Sequence, residues 1–113
     1  MIKLIVCAVR RHDFTFEQFD TYWRERHGPL VRSVPEFTRH VRRYVQCHLT
    51  TAKVPLMQAE GCDGIAELWF DSAEAMNRAF VEPRYLEVIR PDELEFLDMD
   101  ECRSFVTEEL EVI

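Results

Sequence analysis

A histidine on an apolar stripe is the first residue in this sequence whose placement suggests chemistry. Phe16, Phe19, Trp23, His27 and Leu30 recur at helical spacing, which puts the His27 imidazole on the same face as large apolar side chains. Gly28-Pro29 follows at once. Proline lacks a backbone donor, so the helix is expected to break or kink just after His27. A helix end favours a charged ring and burial favours a neutral one; an imidazole between these pulls suits general acid–base work. A core histidine bonded to a free carbonyl at the helix end fits the same residues. Both readings stay open at this stage.

Tyr44 is the second candidate. It falls mid-strand on a face shared with Arg42 and His48, where a phenol can donate to a developing oxyanion and a cation can lower its pKa. Surface or dimer contacts would suit Arg42 and Tyr44 as well. Glu67 sits between Ile65 and Trp69 in a strand expected to be central. If buried it needs a partner, and Arg or His could serve. A structural ion pair, a catalytic base and a contact to a bound substrate are all compatible with it. Trp23 and Leu68 would supply apolar walls.

Several other chemistries find no support. His40 and His48 would stand about 26 Å apart along one strand and cannot share a metal. Cys7, Cys47, Cys62 and Cys102 are dispersed without a C-x-x-C pair, so neither a structural zinc nor a disulfide framework is expected. Cys7 and Cys47 lie in apolar strands and read as small buried side chains. Serine nucleophile elbows, phosphate loops and dinucleotide glycines are missing from the sequence. No cofactor is expected.

The elements that must position these residues follow from periodicity. Residues 2–10 are apolar at nearly every position and suit a strand. Thr15 and Gln18 fit a capping box that opens the helix carrying His27, about 15 residues long. A strand spans residues 40–49 and a long loop residues 50–62, with the third strand at 63–70. Asp71 or Ser72 caps a second helix with Ala73, Met76, Ala79 and Phe80 on one side. Pro83 and Pro91 suit first helical turns, so short helical pieces are expected over residues 84–97. A final strand is expected at 103–112. The order βαββαβ predicts an α+β, ferredoxin-like domain: a four-stranded antiparallel sheet with two helices on one face.

The helices cover one face only, yet the first and third strands are apolar on both. A second copy packed sheet to sheet would bury the remaining surface, so a homodimer is expected. The chain of 113 residues, 47% hydrophobic, suits one domain over residues 1–113. Its net charge of −7 disfavours nucleic acid. That charge is uneven, +5 over residues 1–59 and −12 over residues 60–113, which in one small domain reads as interleaved ion pairs. No apolar run approaches the roughly 18 residues of a membrane span. Arg10, Arg11, His12 and Asp13 stand where a signal peptide would need small cleavage-site residues. A cytoplasmic protein is expected.

Phe16-Glu17-Gln18-Phe19, Tyr22-Trp23 and above all Arg26-His27-Gly28-Pro29-Leu30 resemble the first-helix signature of EthD-like proteins in the dimeric α/β-barrel superfamily. The likeness continues through the Tyr44 strand, Ile65-Ala66-Glu67-Leu68-Trp69-Phe70 and Phe105-Val106-Thr107-Glu108-Glu109, so it spans essentially the whole chain. The resemblance implies a homodimer whose paired sheets form a barrel, with a pocket for a small organic ligand in each subunit. It links the chain to ether and aromatic catabolism under a general oxidoreductase label, with lactone isomerases and polyketide cyclases, dehydratases and decarboxylases as relatives. It makes His27 the pocket histidine and Tyr44 a polar pocket residue. Leu68 stands where some isomerising relatives carry a thiol, so thiol assistance is not expected. Three functions remain: an acid–base enzyme acting on an aromatic or lactone-like intermediate, a binding partner of a catabolic oxygenase, or oxygen chemistry with or without haem.

Overall fold

The expected order of elements is present, and the departures from it lie where proline or strand pairing decides. The computed structural model describes residues 1–58 and 61–113. β1 (Ile2–Ala8) leads through α1 (Phe16–Tyr22), a π turn (Trp23–His27) and α2 (Gly28–Arg32) to a short α3 (Pro35–Thr38). β2 (Arg43–His48) and β3 (Gly64–Phe70) follow. Then come α4 (Ala73–Phe80), a second π turn (Tyr85–Ile89), α5 (Arg90–Phe96) and β4 (Arg103–Thr107). The sheet order is β2-β3-β1-β4 with every neighbouring pair antiparallel. This open sheet is the ferredoxin-like arrangement.

The capping box forms: Gln18 N–H donates to Thr15 Oγ1 at 3.1 Å, and Thr15 N–H donates to Gln18 Oε1 at 2.8 Å. Ser72, rather than Asp71, caps α4 by accepting from Ala75 N–H at 3.1 Å. β2 begins three residues later than expected, because His40 and Val41 donate back to Phe37 and Thr38 and close the turn after α3. β4 ends at Thr107, where it pairs with Lys3; only Ile2 of β1 lies beyond that pair, so the strand cannot run on to residue 112. Described residues 49–58 and 61–63 form no helix or strand. Residues 59 and 60 of the expected loop lie outside the described residues.

The main correction concerns His27. The helix does not break at Gly28-Pro29: Trp23, His27 and Gly28 all keep right-handed helical backbone angles. Gly28 N–H reaches back five residues to the Trp23 carbonyl. This wider turn absorbs the missing proline donor and its ring within a continuous helix over residues 16–32. The same device recurs at Arg90-Pro91, where Arg90 N–H bonds to the Tyr85 carbonyl. π turns of this kind concentrate at functional sites. Here they flank one cavity.

Alternation divides the sheet. Leu4, Ala8, Ala66, Leu68 and Phe70 join Phe19, Trp23, Val31, Ile89 and Phe96 in the core under the helices. Ile5, Cys7, Val45, Cys47, Ile65 and Phe105 fall on the other face by register. That face also carries an ion pair of Lys3 with Glu67.

Candidate active site

Between the helices and the sheet lies a small cavity of about 90 Å³ whose walls are almost wholly apolar. Trp23, Leu68, Ala66, Ile89 and Phe96 form much of its surface, and His27, Tyr44 and Glu93 are its polar and ionisable lining residues. Each is presented by an element already described: His27 closes the first π turn, Tyr44 comes from β2, and Glu93 opens α5 behind Pro91.

His27 is 5% exposed. Its Nδ1 lies 2.8 Å from Oδ2 of Asp92, and its ring packs on Phe96 with centroids 4.9 Å apart. Tyr22 donates its hydroxyl to the other Asp92 oxygen at 2.5 Å. Burial, followed by that bond to Asp92, pushes the Tyr22 phenol up to about 12, so it remains a donor across the physiological range. A carboxylate clamped from one side by a phenol thus fixes the imidazole, with Nδ1 as the donor. Among the described residues Nε2 has no hydrogen-bond partner, and His27 faces the cavity. A carboxylate that orients an imidazole and leaves its second nitrogen to a guest is a general-base arrangement.

Tyr44 is held differently. Gln46 Nε2 donates to the Tyr44 oxygen at 3.3 Å and to the Trp23 carbonyl at 3.0 Å. Gln46 therefore ties β2 to the π turn and leaves the phenol hydrogen for a guest. His48 continues the brace, with Nε2 2.8 Å from Gln46 Oε1 and Nδ1 2.5 Å from Asp20 Oδ1. The expected cation effect on Tyr44 is absent: Arg42 is bound to Asp71 through bonds of 2.9 and 2.6 Å. Burial raises the Tyr44 phenol against the smaller opposing pull of Gln46. It is a proton donor rather than an anion.

Glu93 accepts from Tyr85 at 2.7 Å and from Arg90 at 3.3 Å. Burial nevertheless keeps its carboxyl above the usual carboxylate range. The cavity thus holds an oriented imidazole, a protonated phenol and a carboxyl whose pKa is raised by burial.

Four of the five residues singled out in the sequence, His27, Tyr44, Trp23 and Leu68, line this cavity together. Glu67 does not. One step of alternation from Leu68 turns it to the opposite face of the sheet, where its partners are Lys3 and the Cys47 thiol, 3.5 Å away, in place of the Arg or His expected. Those contacts hold its carboxyl below the usual range, the Lys3 bond contributing most. The sequence reading missed Asp92, Glu93, Tyr22 and Gln46. Pro91-Asp92-Glu93 carries a signal, since acids favour a helix start, but that signal explains itself and names no partner. Among the described residues no group of three or more His, Cys, Asp and Glu side chains is placed to hold a metal ion. No helix of the described residues is long and apolar enough to cross a membrane.

The fold and the cavity define a ferredoxin-like α+β protein with an interior polar triad under its helices. The sequence profile of the EthD domain matches residues 11–100, and the chain belongs to the EthD family. No functionally curated protein matches the sequence. An ethyl tert-butyl ether d (EthD) family protein from Bacillus halodurans is similar in structure, with 20% identity and a TM-score of 0.71 over 97% of this chain and 99% of that one. A dimeric ferredoxin-like protein of unknown function from Bacteroides fragilis is 14% identical, with a TM-score of 0.67 over 96% and 95% of the two chains. One from Thermobifida fusca, also described as dimeric, is 15% identical, with a TM-score of 0.58 over 96% and 90%.

Proposed function

We propose that this protein is an enzyme that performs acid–base chemistry, without a cofactor, on a small aromatic or lactone-like intermediate of catabolism. His27 moves the proton through Nε2. Tyr44 holds the substrate oxygen as negative charge develops on it, and Trp23 and Leu68 form the apolar walls. Isomerisation, cyclisation, dehydration and decarboxylation can each draw on a positioned base and an oxyanion donor.

The observation that carries this reading is the Tyr22–Asp92–His27 chain. Two partly buried hydrogen bonds are spent on orienting one imidazole whose second nitrogen has no partner among the described residues and faces an apolar cavity. A purely structural histidine gains nothing from that open nitrogen, which is unpaired yet not sealed from a guest, since no described side-chain nitrogen or oxygen is both buried and unpartnered. The test is turnover of a panel of lactones and substituted aromatic carbonyl compounds by the native protein and by His27→Gln. Loss of about 10²-fold or more in kcat is expected for the variant. Uptake of panel members by both proteins with turnover by neither would leave a binding role instead.

The active form in this reading is a cytoplasmic homodimer. Two sheets meet through Ile5, Val45, Ile65 and Phe105, and together close a barrel. Phe105 is 54% exposed in the single chain, which is costly for an aromatic on an apolar face. The dimeric relatives from Bacteroides fragilis and Thermobifida fusca share this sheet architecture.

A further inference from the structure

The His27 cavity is too small to hold a substrate alone. At about 90 Å³ it falls short of the roughly 150 Å³ that accommodates a benzene ring. A larger cleft of about 400 Å³ adjoins it along edge strand β2, and Val31, Phe37 and Tyr44 line both spaces. A molecule reaching His27 from this side must therefore lie across Tyr44, with its reacting end inside and the rest in the cleft.

The cleft has a marked charge. Arg32, Arg42 and Arg43 line it, and no Asp or Glu does, in a chain with 21 acidic residues and a net charge of −7. Arg42 is neutralised by Asp71, and the Arg43 guanidinium stacks on Trp69, 4.6 Å from its centroid. Arg32, in the last turn of α2, has no hydrogen-bond or carboxylate partner among the described residues. Beneath these cations the floor is apolar, formed by Val31, Phe37 and Val41. A second cleft, of about 330 Å³, opens from the cavity on the β4 side. Its Arg90 already donates to Glu93 and its Arg103 to the carbonyls of Asp100 and Glu101, and an acidic side chain, Glu93, lines it. An anion is better received at the β2 side.

Building on the acid–base reading above, we infer that the substrate class is carboxylate-bearing: an apolar, ring-sized body whose anionic group is held by Arg32 in the β2 cleft while its other end meets His27. Arginine suits this task because its planar fork matches a carboxylate and stays charged at every working pH. The rim recognises charge and the floor recognises the hydrocarbon body. Specificity of this kind needs no contact with the reacting atoms.

The probes are benzoate, phenylacetate and 3-phenylpropanoate, each compared with its own neutral amide by calorimetry and by protein NMR shifts. At least one acid is expected to bind about tenfold tighter than its amide, the effect of one charge-assisted bond, and to weaken with added salt. Arg32→Gln should remove most of that preference with an unchanged melting curve, while Arg32→Lys should restore part of it. No acid preferred over its amide, or a preference untouched in Arg32→Gln, overturns the inference. His27→Gln separates it from the catalytic reading. That variant should keep the acid preference, and native turnover in it would sink the role of His27 while leaving the anion site standing.

Discussion

A β-carbon placed on Gly64 would stand 2.5 Å from Cζ3 of Trp23. The first residue of β3 is therefore glycine because an indole from the π turn lies on its backbone. The same indole walls the cavity beside His27 and meets the His48 ring with centroids 4.6 Å apart. One close approach thus couples sheet, helix and site.

Gly64→Ala is expected to displace Trp23, since the backbone of a paired strand cannot yield. Overpacking of this kind costs about 1–3 kcal/mol. Thermal melting should show that loss, and the tryptophan emission should shift as the ring moves. An unshifted melting temperature would mean that the indole has room the structure does not give it.

The clamp on His27 can be tested without a substrate. Nitrogen NMR of the native protein should find the proton of the singly protonated ring on Nδ1, where Asp92 accepts it. Asp92→Asn should move the population toward the Nε2–H form, because the amide can present its own donors to the ring. Activity on any substrate found should fall with it, by about 10²–10⁴-fold. A native ring protonated on Nε2 would remove the base from the cavity.

Glu93 supplies a pH dependence whose sign is set by burial. Its folded pKa lies above the ordinary 4.5, so the unfolded chain releases this proton first. Stability from the protonated carboxyl is full below about pH 4.5 and is lost as pH rises through the folded value, at no more than about 1.4 kcal/mol per pH unit. Glu93→Gln does not ionise. Its melting temperature relative to the native protein should climb as pH is raised from 4 toward 7.5, and parallel curves would show that burial leaves Glu93 unperturbed.

The sheet face away from the helices predicts association. Light scattering should report a particle of about 27 kDa, twice the 13.5 kDa chain. Ile65→Asp, next to Glu67 on the central strand, should give a folded monomer. A native protein that stays at the mass of a single chain at micromolar concentration would remove the proposed barrel.

The legible part of this molecule was local. Thr15 with Gln18, Ser72 before Ala73, and the apolar run of residues 64–70 each carry their structure in side chains a few positions apart, and each formed as expected. His27, Tyr44, Trp23 and Leu68 could be gathered from sequence because apolar stripes and strand parity point side chains toward a common core. The same parity places Glu67 on the far face.

Sequence by itself determined which elements exist, in what order, and that the sheet is apolar on both sides, because those follow from spacing along the chain. Only the tertiary structure decided that the helix runs through Pro29, that Asp92 rather than a backbone carbonyl meets His27, and that Gln46 steadies Tyr44. Asp92 lies 65 positions from His27, and no local pattern encodes a pairing across that distance. The chemistry of the site therefore became visible only once packing brought Asp92 against His27 at the cavity wall.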